Sequence, residues 1–137
     1  MSFDLVVLAA QPDATDAEVR AMAEVCQGWH HPQGELDGRI VVFYESLRAR
    51  YPDYPPRGDD SPWTDTPLSV GIDHVSMHMR FGQRATDALR LIDELARRHG
   101  LTIYDPQGGE VTRPDDARTP ADTAMVALLE ELRAPNP

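Results

Sequence analysis

The stretch Leu68-Ser69-Val70-Gly71-Ile72-Asp73-His74-Val75-Ser76-Met77-His78-Met79-Arg80-Phe81 decides how this chain folds, because its apolar residues alternate and then change phase. Val70 and Ile72 are apolar at even positions, whereas Val75, Met77, Met79 and Phe81 are apolar at odd ones. Successive side chains of a strand point to opposite faces, so one continuous strand cannot carry both phases. A turn or bulge near Asp73-His74 must therefore separate two short antiparallel strands. The second strand would give Val75, Met77, Met79 and Phe81 to a core. It would place His74, Ser76, His78 and Arg80 together on the opposite face.

Working outward, Phe3 to Leu8 is rich in Val and Leu, as a strand buried on both faces would be. Thr15-Asp16-Ala17-Glu18 has capping-box spacing and opens a helix over about 16–27, with Val19, Met22, Ala23 and Cys26 on its apolar stripe and Gly28 as its stop. Ile40, Phe43, Tyr44, Leu47 and Tyr51 recur at helical spacing and predict a helix over about 37–50, ended before Pro52. Arg84 to His99 is a third helix, with Ala88, Leu91, Ile92, Leu95 and Ala96 inward. Leu101 to Tyr104 is a strand, Asp105 to Gly109 a turn, and Glu110 to Thr112 a short returning strand. Thr119-Pro120 opens a closing helix with Met125, Leu128, Leu129 and Leu132 on one stripe. The order is β-α-α-β-β-α-β plus an extra helix, and removing one helix leaves the split βαβ of a ferredoxin-like fold. The expected architecture is α+β: a ferredoxin-like antiparallel sheet, helices packed mainly on one face, in a single domain over 1–134 with a tail at 135–137.

Composition narrows the function. All thirteen basic residues are arginine, which excludes a P-loop lysine, a Schiff base and a PLP anchor. A net charge of −10 with scattered arginines disfavours nucleic acid and favours a basic protein partner. The N-terminal segment lacks a positive flank and reads as a strand rather than a signal peptide, and no apolar run approaches the ~20 residues of a membrane span. A soluble, cytoplasmic protein is expected. Cys26 is the single cysteine, expected to be buried and inert.

Phe3-Asp4-Leu5-Val6-Val7, Asp59-Asp60-Ser61-Pro62-Trp63, the helix from Arg84 to Gly100 and the closing Leu101-Thr102-Ile103-Tyr104-Asp105-Pro106-Gln107 resemble a group of small acidic α+β proteins common in actinobacteria. The resemblance covers most of residues 1–113. It implies a fold and a bacterial origin; no activity is assigned to the group, so no catalytic residue carries over.

Two candidate sites stand out. The loop over 51–67 is too rich in Pro, Asp and Gly for regular structure, and it sets Trp63 and Tyr54 among Asp53, Asp59, Asp60 and Asp65. An aromatic anchor with an acidic rim suits a partner-binding surface, and the competing reading has Trp63 packed back on the core. The second candidate is the polar row His74, Ser76, His78 and Arg80. A rise of about 3.3 Å per residue separates His74 from His78 by roughly 13 Å, too far for both to bind one metal ion. His30-His31 lacks a recognised ligand spacing, so no metal and no cofactor are expected. Asp105 is explained as a turn residue, and no catalytic motif is present. The expected function is a non-enzymatic protein-binding or inhibitor protein, resembling the immunity proteins that neutralise bacterial toxins. The alternative is a small-molecule or metal-dependent enzyme using the His74, His78 and Arg80 face.

Overall fold

The computed structural model describes residues 2–26, 34–53, 61–64 and 68–116. Strand β1 (Ser2–Leu8) is followed by helices α1 (Asp16–Cys26) and α2 (Gly38–Arg50), strands β2 (Ser69–Val70) and β3 (His74–Arg80), helix α3 (Gln83–Arg98), and strands β4 (Thr102–Asp105) and β5 (Glu110–Thr112). The strands form one antiparallel sheet in the order β2-β3-β1-β4-β5, with β1 central. The fold is α+β. Among the described residues no helix is long and apolar enough to cross a membrane. The closing helix expected from Thr119 onward lies outside the described residues.

Alternation in β1 and β3 sorts the sheet into two faces. Odd-numbered Phe3, Leu5, Val7, Val75, Met77 and Met79 meet Ile40, Phe43 and Leu47 of α2 and Ala85, Ala88, Ile92 and Leu95 of α3 in the main core. Even-numbered Val6 and Leu8, with Ala10 and Tyr104, meet Val19, Ala23 and Cys26 of α1 in a second core. Helices therefore cover both faces. The expected ferredoxin-like sheet with helices mainly on one face is corrected: the order is β2-β3-β1-β4-β5, and α1 packs on the opposite face from α2 and α3, while the returning strand expected at Glu110 to Thr112 forms as β5 beside β4. The physical reason lies in β1, whose even positions Val6 and Leu8 are as apolar as its odd ones and need their own cover.

Local chemistry fixes each helix. Glu18 N–H donates to Thr15 Oγ1 at 3.1 Å and Thr15 N–H to Glu18 Oε1 at 3.3 Å, the reciprocal capping box that starts α1. Two arginines hold α1 against the far side of the sheet. Arg20 donates to the Gly109 carbonyl at 3.1 and 3.0 Å, and Arg113 donates to Asp16 and to the Ala14 carbonyl, both at 2.7 Å. Gly109 has φ +72°, which a side chain would strain, and this turn sets its carbonyl within reach of Arg20. Asp37 caps α2 by accepting from Arg39 N–H at 2.8 Å, while Arg39 reaches the Gly100 carbonyl behind α3 at 3.1 Å.

The phase change between β2 and β3 is a tight turn over Gly71 to Asp73. Gly71 N–H donates to the His74 carbonyl at 2.9 Å, and Ala9 N–H to the Asp73 carbonyl at 2.8 Å. A Cβ on Gly71 would lie 2.1 Å from His74 Cε1, so the bare glycine lets the imidazole lie against the backbone.

Candidate functional site

The loop candidate turns inward at both described ends. Trp63 is fully buried, and its indole N–H donates to the Tyr51 carbonyl at 3.0 Å. Asp53 is 1% exposed and accepts from Tyr44 Oη at 2.5 Å and from Leu68 N–H at 3.0 Å, with Arg48 at 4.0 Å. The reading of Trp63 as an exposed anchor is thereby corrected, and Asp53 is not a solvated loop carboxylate. Removing an indole of this size from water stabilises the fold. Tyr54, Asp59, Asp60 and Asp65 lie outside the described residues, as do His30 and His31.

The described part of the loop also acts as an edge to β3. Trp63 bridges Met79, Thr64 N–H donates to the His78 carbonyl and Arg80 N–H to the Pro62 carbonyl, both at 2.9 Å. Arg80 then donates from its guanidinium to the Trp63 carbonyl at 2.9 Å. The loop and the polar row are thus joined at Arg80.

The polar row itself divides between Ser76 and His78. His74 and Ser76 pair in register with Leu8 and Val6, the residues α1 covers, and both are buried. The expected common surface of His74, Ser76, His78 and Arg80 does not form: only His78 and Arg80, opposite Asp4 and Ser2, reach solvent. There His78 Nδ1 lies 2.5 Å from Asp4 Oδ1, with the side chains 44% and 37% exposed. Gln107 fixes Asp4 from the other side. Its amide oxygen accepts from Asp4 N–H at 2.7 Å, and its amide nitrogen donates to the Asp4 carbonyl at 2.9 Å and to Asp105 Oδ1 at 2.5 Å. An exposed imidazole whose Nδ1 is held by a carboxylate has its Nε2 directed by that bond, which suits hydrogen bonding to a ligand or proton transfer.

Beneath α1 a second group assembles. Cys26 from the last turn of α1 meets Asp73 and His74 from the β2–β3 turn, with one ligating atom from each within 4.8 Å of the others. His74 Nδ1 lies 3.0 Å from Asp73 Oδ1. Burial, with a smaller contribution from the Asp73 charge, pushes the Cys26 thiol up to about 12. A thiol so raised is a poor nucleophile, and Cys26 is buried as expected. Sequence reasoning named His74 and Cys26 separately and missed Asp4, Gln107 and Asp73. Asp4 was discoverable, since it interrupts an apolar strand at the phase that faces His78. Gln107 and Asp73 sit in turns, where ordinary turn chemistry explains them equally well. A comparison of the chain with protein-family models, curated proteins and solved structures finds no match.

Proposed function

We propose that this is a non-enzymatic binding protein, an inhibitor of the immunity kind, which engages a basic protein partner through the open end of the β1–β3 face and the acidic loop beside it. The observation that carries the reading is the Arg80 bond to the Trp63 carbonyl, since it joins the two candidate surfaces into one. Asp65 follows Thr64 directly in the chain, and Asp59 and Asp60 precede Ser61, so the acidic residues flank a segment hydrogen-bonded to β3. Trp63 serves this surface from within by anchoring the loop. The exposed groups Asp4, His78 and Arg80 are held by Gln107 and by the Trp63 carbonyl, which lowers the ordering cost of binding. The overall charge of −10 steers a basic partner. Calorimetry on a partner recovered with the full chain tests the reading. Arg80→Ala is expected to weaken binding about tenfold or more, and Asp60→Ala and Asp65→Ala to slow association and flatten its salt dependence. Wild-type affinity in all three folded variants would place the interface elsewhere.

The Asp4–His78 pair favours a second reading, a small-molecule enzyme in which His78 takes a proton at Nε2 while Asp4 holds its orientation. Substrate turnover by the wild type that disappears in His78→Gln would promote this reading over the first.

A further inference from the structure

We infer that Cys26, Asp73 and His74 form a binding site for a single divalent transition-metal ion of the zinc class. The three side chains supply a thiolate, a carboxylate and an imidazole, the donor types that zinc accepts. Ligand bonds of about 2.0–2.3 Å put the donors of a tetrahedral site roughly 3.5 Å apart, and the three atoms already lie within 4.8 Å of one another. A contraction of little more than ~1 Å closes the set. The spacing of the chain conceals this group, because Cys26 and the Asp73-His74 pair meet only when α1 folds over the C-terminal half of β1.

The backbone around the site is held by hydrogen bonds, so the contraction falls to the side chains. The Asp73 carbonyl is held by Ala9 N–H and the His74 carbonyl by Gly71 N–H, and the imidazole occupies the space that any side chain at position 71 would need. Cys26 sits on a helix pinned by Arg20 and Arg113. Preorganisation of this kind is what a metal site requires of its scaffold.

A thiol, an imidazole and a carboxylate together also describe a cysteine nucleophile with its base, and burial decides between the two readings. Cys26 is 3% and His74 0% exposed, so a substrate carbonyl cannot approach the sulfur, whereas a bare ion can pass Asp73, whose side chain is 34% exposed. Among the described residues three side chains supply ligands, one fewer than the four of a tetrahedral zinc site. Binding converts the thiol to a thiolate and releases its proton to solvent.

Cobalt(II) is the probe, added to the purified full chain after removal of bound metals. Cys26 is the only cysteine, so a thiolate-to-cobalt charge-transfer band can come from no other residue. The expected result is such a band saturating at one ion per chain, abolished by a molar equivalent of zinc. Asp73→Asn, at a partly exposed position, should keep the fold and weaken binding roughly tenfold or more, while His78→Ala should leave the band unchanged. Absence of the band from folded wild-type protein overturns the proposal. So does a band that survives at full affinity in both Asp73→Asn and His74→Ala.

Discussion

The two faces of the sheet rise from the same strands, yet one is closed and the other is half open. On the odd face every β1 and β3 side chain from Phe3 to Met79 is apolar, and α2 and α3 cover all of them. On the even face α1 packs on Val6 and Leu8, and His74 and Ser76 beside them are buried, whereas Asp4, His78 and Arg80 reach solvent. Polarity on a strand's second face therefore does not report exposure. Within one polar row of β3, the outcome depends on which β1 residue lies opposite: beside Leu8 a histidine is buried, and beside Asp4 it is solvated.

The sharpest way to break this comparison is to open the closed face. Trp63 is fully buried beside Met79 and spends its one donor on the Tyr51 carbonyl, so Trp63→Ala removes both packing and a satisfied hydrogen bond. The expected loss is about 3–5 kcal/mol, with Met79→Ala at about 2–5 kcal/mol, read from urea denaturation midpoints. A loss below about 1 kcal/mol for Trp63→Ala would mean that the indole is presented to solvent after all.

The covered half of the even face should respond almost as strongly. A methyl group on Gly71 would meet the His74 ring at 2.1 Å, and the ring, buried under α1, has little room to move. Gly71→Ala should cost about 1–3 kcal/mol through overpacking. In the double variant Gly71→Ala, His74→Ala the clash is gone, so the two losses should sum to more than the double variant shows. Simple additivity in the same denaturation series would place the ring elsewhere.

Much of this architecture was legible in the residues. The phase change in 68–81 does mark the end of β2 and the start of β3, and the helix at Asp16 begins on the Thr15–Glu18 pair that its spacing implied. Periodicity and caps are local, and local rules find them. What stayed hidden depends on register and layering. Leu8 against His74 and Asp4 against His78 are pairings between segments far apart in the chain, and neither periodicity nor composition sets them. The side of the sheet taken by α1 is hidden for the same reason, and with it the meeting of Cys26, Asp73 and His74. Trp63 misled because its neighbours are loop-forming, although a tryptophan in a small domain is often drawn inward by its area.

At the edge of the closed face a smaller, pH-dependent effect is expected. The side-chain hydrogen bond from Arg39 holds the Asp37 carboxyl below the usual carboxylate range. A depressed folded-state value means that the charged form stabilises the fold above the unfolded value of about 3.9, and that this contribution is lost as pH falls through the folded value. Asparagine caps helices about as well as aspartate, so Asp37→Asn should cost only about 1 kcal/mol or less at neutral pH. The gap between variant and wild type should then narrow as the pH drops below about 4. A gap independent of pH, in thermal melts across that range, would assign the loss to the cap geometry and not to the charge.

The smallest effect belongs to the open end of the even face, and it separates a binding surface from a structural one. His78 and Asp4 are each more than a third exposed, so water screens their attraction and an exposed pair of this kind contributes about 0–1 kcal/mol. Asp4 keeps both backbone bonds to Gln107 when the imidazole is removed, which leaves β1 anchored to the β4–β5 turn. His78→Ala should therefore change stability by about 0.5 kcal/mol or less, several-fold less than the loss expected for Met79→Ala one residue away. If His78→Ala instead destabilises as much as Met79→Ala, the Asp4–His78 pair is part of the fold's framework, and the surface proposed for partner binding loses its central group.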